Sequence, residues 1–426
     1  MSVRNRELLF LLPALILTTL GFALVYTVKS ETLTWASLTY GALFLALFAI
    51  AHLGVRVLAP KADPYLLPVT ALLSTLGLLL LYRIDEDLAL KQAMWLVVGL
   101  VAFLLVLAVV RDLKPLSDHK YWLGIAAVVL LLATAILGRE INGARLWFAL
   151  GPIRFQPGEF AKVLLVAFFA AYLVGVREVL TVSTRRVLGV PLPPFRYLAP
   201  LLTIWGLSLL LMVFMKDLGT SLLFFGALLA LIYVATGRFF YVGVGVVLFL
   251  LGAVALYFVF SHVQTRVDIW LDPWVDPRGK GYQIVQSLFS LAAGGLFGRG
   301  LGQGYLILQS GNTIIPNLET DFIFSAIGEE LGLVGAVGII LLYLIFTYRG
   351  LRVAMQGRDD FSRLLATGLT SIFALQAFII IGGVIKLIPL TGITLPFVSY
   401  GGSSVVANFM LLALLLRASD RAVARG

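Results

Sequence analysis

The sequence predicts an all-α fold: a polytopic helical membrane protein with about twelve transmembrane helices and one long outer loop. Three observations predict it. Hydrophobic residues make up 60% of the chain and charged residues only 13%, whereas soluble domains carry roughly a quarter charged residues. Mean hydropathy is +1.01. Apolar runs of about 18 residues or more, enough to cross a bilayer as a helix, recur from one end to the other. No polar stretch is long enough for a separate soluble domain.

The spans fall at 7–28, 35–58, 64–82, 92–110, 121–138, 159–176, 197–215, 218–236, 239–261, 322–347, 364–385 and 395–416. The first is too long for a signal-peptide core and lacks a small-x-small cleavage site, so it is read as retained. Orientation follows from the loops. With the N-terminus inside, the inner segments collect most of the basic residues, among them Arg56, Lys61, Arg111, Lys114, Arg177, Arg349, Arg358, Arg417 and Arg421. The positive-inside rule therefore puts both termini in the cytoplasm. The same rule accounts for the net charge of +10; membrane lipids are the expected partners and nucleic acid is not. The chain has no Cys, which excludes disulfides and thiol catalysis. His52, His119 and His262 are too few for a His-rich metal site, so a metal would be a hard cation on carboxylates.

The outer segments hold the residues that suggest chemistry. The stretch PNLETDFIFSAIGEELG, 316–332, gathers Glu319, Asp321, Glu329 and Glu330 at the mouth of the tenth span. Thr320 or Asp321 caps that helix, where the macrodipole favours an anion. Alternatively, Asp321 is a general base that takes the proton of a hydroxyl attacking an activated sugar. Glu329 and Glu330 lie about two turns deeper, where an ionisable group is costly and faces a cavity or a partner. They are expected to pair with a cation and to hold or tune the site. Gly328, Gly332 and Gly335 read as a small-residue packing face.

In GREINGARLWFALGPIRFQPGEFAK, 138–162, Arg139, Arg145, Arg154 and Lys162 converge with Glu140 and Glu159. Glu159 and Lys162 are three apart and can pair on one helix face. The cations either anchor the interface or grip a lipid-linked diphosphate, for which the planar guanidinium is suited. In MKDLGTS, 215–221, Asp217 is placed to cap the eighth span. The run GRGLGQG, 298–304, has no preceding strand and no Lys-Ser/Thr after it, so it is not a phosphate loop. Tyr282, Val285, Leu288, Phe289 and Ala292 recur at helical spacing and predict a short amphipathic helix on the membrane surface. In LPFVSYGGSSVVANF, 395–409, Ser399, Gly401, Gly402, Ser403 and Ser404 permit close approach of a helix or a ligand. No internal repeat is visible, so an inverted-repeat transporter is not supported.

These motifs in this order, NGARLWFALGPIRFQPGEFAK, KDLGTS, GYQIVQSL with GGLFGRGLGQG, ETDFIFSAIGEELGLVG and PLTGITLPFVSYGGSS, resemble the RodA/FtsW/SpoVE (SEDS) family over about residues 64–416. The resemblance implies a peptidoglycan glycosyltransferase that joins lipid II units at the outer face of the cytoplasmic membrane and releases undecaprenyl diphosphate. It implies that Asp321 matches the family's essential Asp, a general base or a metal-linked acid. Arg145, Glu159 and Lys162 match residues lining an outward cavity, Ser399 and Gly402 match the signature of the last span, and Gln286 is counted with them as a substrate-binding candidate. Asp217, Glu329 and Glu330 are assigned structural or tuning roles. The resemblance further implies a divalent cation, magnesium or manganese, and a class B penicillin-binding transpeptidase as partner. Residues 1–60 add two spans to a core of 61–426 that includes the outer loop 262–320. Met215-Lys216 replaces the family's common Gln-Pro, and Thr391 stands where the division-type variant has Lys, which leans toward the RodA-like branch. A lipid II flippase and a non-catalytic scaffold are the alternatives; acids gathered near the outer face favour the enzyme.

Overall fold

A computed structural model of the chain describes residues 2–30, 35–141, 143–151, 153–181, 186–187, 190–191, 195–308 and 312–423. The helices are α1 (Val3–Ser30), α2 (Trp35–Leu58), α3 (Leu66–Ile84), α4 (Glu86–Val109), α5 (Lys114–Asp118), α6 (Lys120–Leu137), α7 (Pro157–Thr181), α8 (Phe195–Phe214), α9 (Leu218–Thr236), α10 (Phe239–Val259), α11 (Ser261–Leu271), α12 (Tyr282–Gly294), α13 (Ile323–Gln356), α14 (Asp360–Val384) and α15 (Gly402–Val423). Twelve of them are long and apolar enough to cross a membrane. A helix satisfies its own backbone polar groups, which is what the hydrocarbon region demands. Helices α3, α14 and α15 are buried along most of their length, whereas α10 is almost wholly on the outside. The core forms where α15 packs on α4, α14 on α9 and α13, and α7 on α6 and α9. The first two helices join it through α1 on α3 and α2 on α4.

The two ends of the bundle are built differently. At the end expected to face inward, charged side chains tie chain segments together. Arg417 donates to Val110 O (2.8 Å), Leu58 O (2.9 Å) and Leu107 O, carbonyls at the C-terminal ends of α4 and α2. A cation there answers both orphan carbonyls and the negative pole of the helix. Arg349 pairs with Asp63, and the amides of Lys61 and Asp63 donate to Asp420 and Ser419. Arg4 bridges Glu7 and Ala62 O, while His52 Nδ1 lies 2.6 Å from Glu7 Oε1. All of these are buried or partly buried, so the first two helices are joined to the core by polar as well as apolar contact.

The opposite end carries the departures from simple helices. Residues 139–155 form a small antiparallel sheet, β1 (Arg139–Ile141), β2 (Ala144–Leu150) and β3 (Ile153–Phe155), with Glu140 opposite Arg145 and Phe148 opposite Phe155. This addition to an otherwise helical fold was not anticipated. Its branched and aromatic residues suit a pleated surface once positive-φ Gly143 and Gly151 turn the chain. A second short pair joins Arg186–Val187 to Val190–Pro191.

The tenth span is broken. Within α13, Gly332 takes φ 67° and ψ −168°, a region open essentially to glycine alone. The break frees backbone groups, and the loop after α12 takes them up. The amides of Arg299 and Gly300 donate to Glu329 O and Glu330 O (both 3.0 Å), and the amides of Leu333 and Val334 donate to Gly295 O (3.0 Å) and Leu296 O (3.1 Å). Gly332 is therefore a hinge point and not a member of a smooth packing face. The amphipathic helix is present as α12, but rotated from the expected face: Ile284, Val285, Ser287, Ser290 and Gly294 are buried and Phe289 is half exposed. Small and hydroxyl groups face α13, where Gly294 abuts Gly328 and Ser287 bonds Ser325 (2.8 Å) and Val384 O (3.0 Å). Phe289 faces outward, as suits an apolar medium.

A β-carbon at Gly332 would collide with Gly298 N and Leu296 O. Gly332→Ala is expected to cost on the order of 3 kcal/mol, read as a lower thermal unfolding midpoint in detergent. Gly338→Ala, on the same helix where a β-carbon meets nothing, is the control and is expected to be neutral or stabilising.

Candidate functional site

Asp321 is held by its neighbours and not by the helix it precedes. Helix α13 is N-capped by Phe322 without a side-chain bond, so the capping reading of Thr320 and Asp321 is replaced. The Asp321 amide donates to Asn317 O (3.1 Å), the Tyr400 amide to Glu319 O (2.8 Å), and Ser399 Oγ to Thr320 O (2.5 Å). Ser399 Oγ also accepts from the Leu395 amide (2.9 Å). The backbone leading into the carboxylate is thus pinned, leaving the side chain partly exposed. Burial pushes its pKa up to about 6, against the opposing influence of a Thr320 hydrogen bond and the Arg266 charge.

Arg266, which sequence reasoning passed over as one basic residue in a long loop, sits opposite. Helix α11 is fastened to 386–392 by Arg266 Nη1 to Leu390 O (3.1 Å), Trp270 Nε1 to Lys386 O (3.2 Å) and Lys386 Nζ to Leu271 O (3.3 Å). Burial lowers the Arg266 pKa, and both Asp321 and Asp217 pull it back up. Asp217 caps α9 by accepting from the Thr220 amide (3.0 Å) and is raised chiefly by burial. Lys216 before it has φ 65°, strained for a residue with a β-carbon. With Arg145, Glu140, Gly143, Ala135, Phe214 and Met215 it lines a cavity of about 190 Å³. Burial and the Arg266 and Lys216 charges lower the His262 pKa and so favour its neutral imidazole.

The other candidates fall into two further groups. Lys162 is fully buried; it donates to Glu159 (2.6 Å) and Gln376 (2.8 Å), and Gln376 donates on to Thr394 O (2.8 Å). Thr394 bonds Ser404 (2.8 Å), which accepts from Asn408 (3.2 Å). This polar chain ties α7, α14, α15 and the 390s loop together; Gln376 was missed because a lone Gln in an apolar run carries no sequence signal. Glu329 and Glu330 serve the 298–307 loop. Glu329 accepts from the Tyr305 (2.6 Å) and Leu306 (3.2 Å) amides, and Glu330 from the Gly302 amide (2.9 Å). Arg83, 3.7 Å from Glu330, donates to Gly302 O (2.9 Å) and Ile307 O (3.1 Å). The glycine loop thus wraps the protein's own carboxylates. Gly402 is engaged within the fold, since a β-carbon there would enter the Trp95 ring. Gln286 is partly exposed on α12, with no hydrogen bond among the described residues.

Asp321, Arg266, Asp217, Arg145 and Lys216 therefore share one end of the bundle with the Glu159–Lys162 pair beside them. Among the described residues no three His, Cys, Asp or Glu gather as a metal site, and the guanidinium near Asp321 opposes a resident cation.

A family model described as cell cycle protein, covering FtsW, RodA and SpoVE, matches residues 65–423. The chain is 47% identical over 432 residues to the peptidoglycan glycosyltransferase RodA of Mycobacterium tuberculosis, covering 98% of this chain and 91% of the relative. It is 34% identical over 373 residues to the stage V sporulation protein E of Bacillus subtilis, covering 84% and 96%. A solved chain from a peptidoglycan synthase complex, described as coordinating polymerization and crosslinking, aligns with TM-score 0.64 and 29% identity over 90% of this chain and 97% of that one.

The raised pKa of Asp321 has a stability consequence. The folded state binds the proton more tightly than the unfolded chain, whose carboxyl lies near 3.8. Ionisation therefore penalises the fold above about pH 6, and the penalty is relieved as pH falls toward 3.8. Asp321→Asn is expected to be more stable than the parent at neutral pH, with the difference vanishing in acid, as measured by unfolding midpoints across pH.

Proposed function

The chain belongs to the FtsW, RodA and SpoVE family, and from that premise we propose that it is a peptidoglycan glycan-strand polymerase with Asp321 as general base. The observation that carries this reading is a reachable carboxylate, raised to about 6 by its surroundings, at the same end of the bundle as a cationic cavity. A base with a pKa near the working pH is both ionised and able to accept a proton.

In this reaction a hydroxyl of the acceptor sugar attacks the anomeric carbon of a lipid II-linked donor. The new carbon–oxygen bond forms as the bond to undecaprenyl diphosphate breaks. The bonding pair leaves on the diphosphate, and the hydroxyl proton passes to Asp321. Arg145 and Lys216 supply charge for the diphosphate, whose oxygens suit a guanidinium fork. A divalent cation, magnesium or manganese, would supply counter-charge to the diphosphate when bound. The residues act at the outer face of the cytoplasmic membrane, both termini being cytoplasmic by the distribution of basic residues. The solved relative in a complex of polymerization and crosslinking supports a cross-linking partner, a class B penicillin-binding transpeptidase.

Purified protein with lipid II and a divalent cation is expected to make long glycan strands. Asp321→Asn should reduce the rate at least about 100-fold, and the parent rate should fall as pH drops through about 6, because the base becomes protonated. Full activity in the Asn variant would remove Asp321 from the chemistry. Lipid II translocation in liposomes without polymerisation would instead favour a flippase, and a normal phenotype from an inactive Asp321 variant in cells would favour a scaffold. Replacing Arg145 and Lys216 together with Ala is expected to raise the KM for lipid II by about tenfold or more, in steady-state assays, with a smaller change in kcat.

A further inference from the structure

Asp321 and Arg266 face one another without touching. A β-carbon built on Gly392 would stand 3.5 Å from Asp321 Oδ2 and 3.7 Å from Arg266 Nη2, with no other atom within 4 Å beyond its chain neighbours. The two side-chain atoms are therefore no further apart than these two distances laid end to end, yet they form no direct ion pair. Arg266 spends Nη1 on Leu390 O, and no described residue engages Nη2. Gly392 has φ 71°, so the loop keeps this gap free of side chain by a conformation that favours glycine.

The width of the gap decides what fits. A hydroxyl that donates to a carboxylate and accepts from a guanidinium spans about 5.6 Å between the outer atoms. An in-line reacting set, with attacking oxygen, anomeric carbon and departing phosphate oxygen between base and cation, needs about 10 Å. The first lies within that upper limit and the second exceeds it, so in this arrangement Arg266 is not the cation that receives the leaving diphosphate while Asp321 acts as base.

Resting on the polymerase reading, we propose that the gap between Asp321 and Arg266, floored by Gly392, seats the attacking hydroxyl of the acceptor sugar, and that Arg266 orients it. One lone pair of that oxygen accepts from Nη2, the other forms the bond to the anomeric carbon, and the proton goes to Asp321. The bond to the diphosphate breaks with its electron pair on the leaving group, which lies in the separate cavity of Arg145 and Lys216. The site thus has two subsites of different chemistry: a hydroxyl slot for the acceptor and a cationic cavity for the donor's diphosphate.

The test uses the full chain in lipid nanodiscs and two probes: lipid II, and an analogue whose attacking hydroxyl is replaced by hydrogen, which can donate but not accept. With the analogue as donor and lipid II as varied acceptor, Arg266→Gln is expected to raise the acceptor KM at least about tenfold and to leave the donor KM within about twofold. Arg266→Lys should recover part of the loss. Gly392→Ser, which fills the gap, should raise the acceptor KM in the same way. A rise in donor KM instead, or no change in either, overturns the proposal. Equilibrium binding separates this outcome from failure of the polymerase reading, because it needs no turnover. The parent should bind lipid II more tightly than the analogue and Arg266→Gln should not discriminate; a parent indifferent to the hydroxyl overturns the proposal. Discrimination that depends on Arg266 in a parent that makes no strands would keep the slot and overturn the polymerase reading.

Discussion

The exchange of backbone hydrogen bonds between the broken α13 and the loop after α12 is the constraint on which the Asp321 end depends. A helix interrupted at membrane depth leaves amides and carbonyls that water cannot reach, and each would cost several kcal/mol if left alone. Here 299 and 300 take the carbonyls of 329 and 330, while 295 and 296 take the amides of 333 and 334. The exchange needs close backbone contact, which explains glycine at 294, 298 and 332. It sets the direction of the short first segment of α13, and with it the turn that presents Asp321.

Around that turn, charge is arranged by separation. Asp321 lies near Arg266, Asp217 near both Arg266 and Glu159, and Lys216 beside His262. Few of these groups neutralise one another directly, whereas the carboxylates that do the holding are engaged by the loop: Glu329 accepts two amides, and Glu330 accepts one and lies 3.7 Å from Arg83. The division is physical: buried groups with full sets of partners rigidify, and groups with unspent donors or acceptors are left for a ligand. Glu159 and Lys162 belong to the first kind by their contacts, since Lys162 is fully buried between Glu159 and Gln376.

Much of this was legible in the chain itself. Apolar length announced the spans, and the spacing of Glu159 and Lys162 announced their pair. The carboxylates of 316–332 could be sorted by depth from their spacing along the chain. Other features could not be read. The break at Gly332 looked like a small-residue packing face because a glycine needed for its φ and one needed for its size are written alike. The sheet at 139–155 is short and sits in a segment whose charges drew attention instead. Arg266 and Gln376 acquire meaning only from partners far along the chain, Leu390 and Lys162, and a single sequence carries no trace of such pairing. Ser399 announced itself as part of a site, but its contacts brace the turn before Asp321.

The Arg417 staple has a consequence for how the protein is made. Its guanidinium closes on Leu58 and Leu107, carbonyls 359 and 310 residues earlier, and the helix that bears it is the most deeply buried of the spans. Synthesis runs from the other end, so the first helices must wait in the bilayer with their terminal carbonyls facing lipid headgroups and water until the last one arrives. The ends of α2 and α4 are therefore closed only once the helix that bears Arg417 has been made and packed against them.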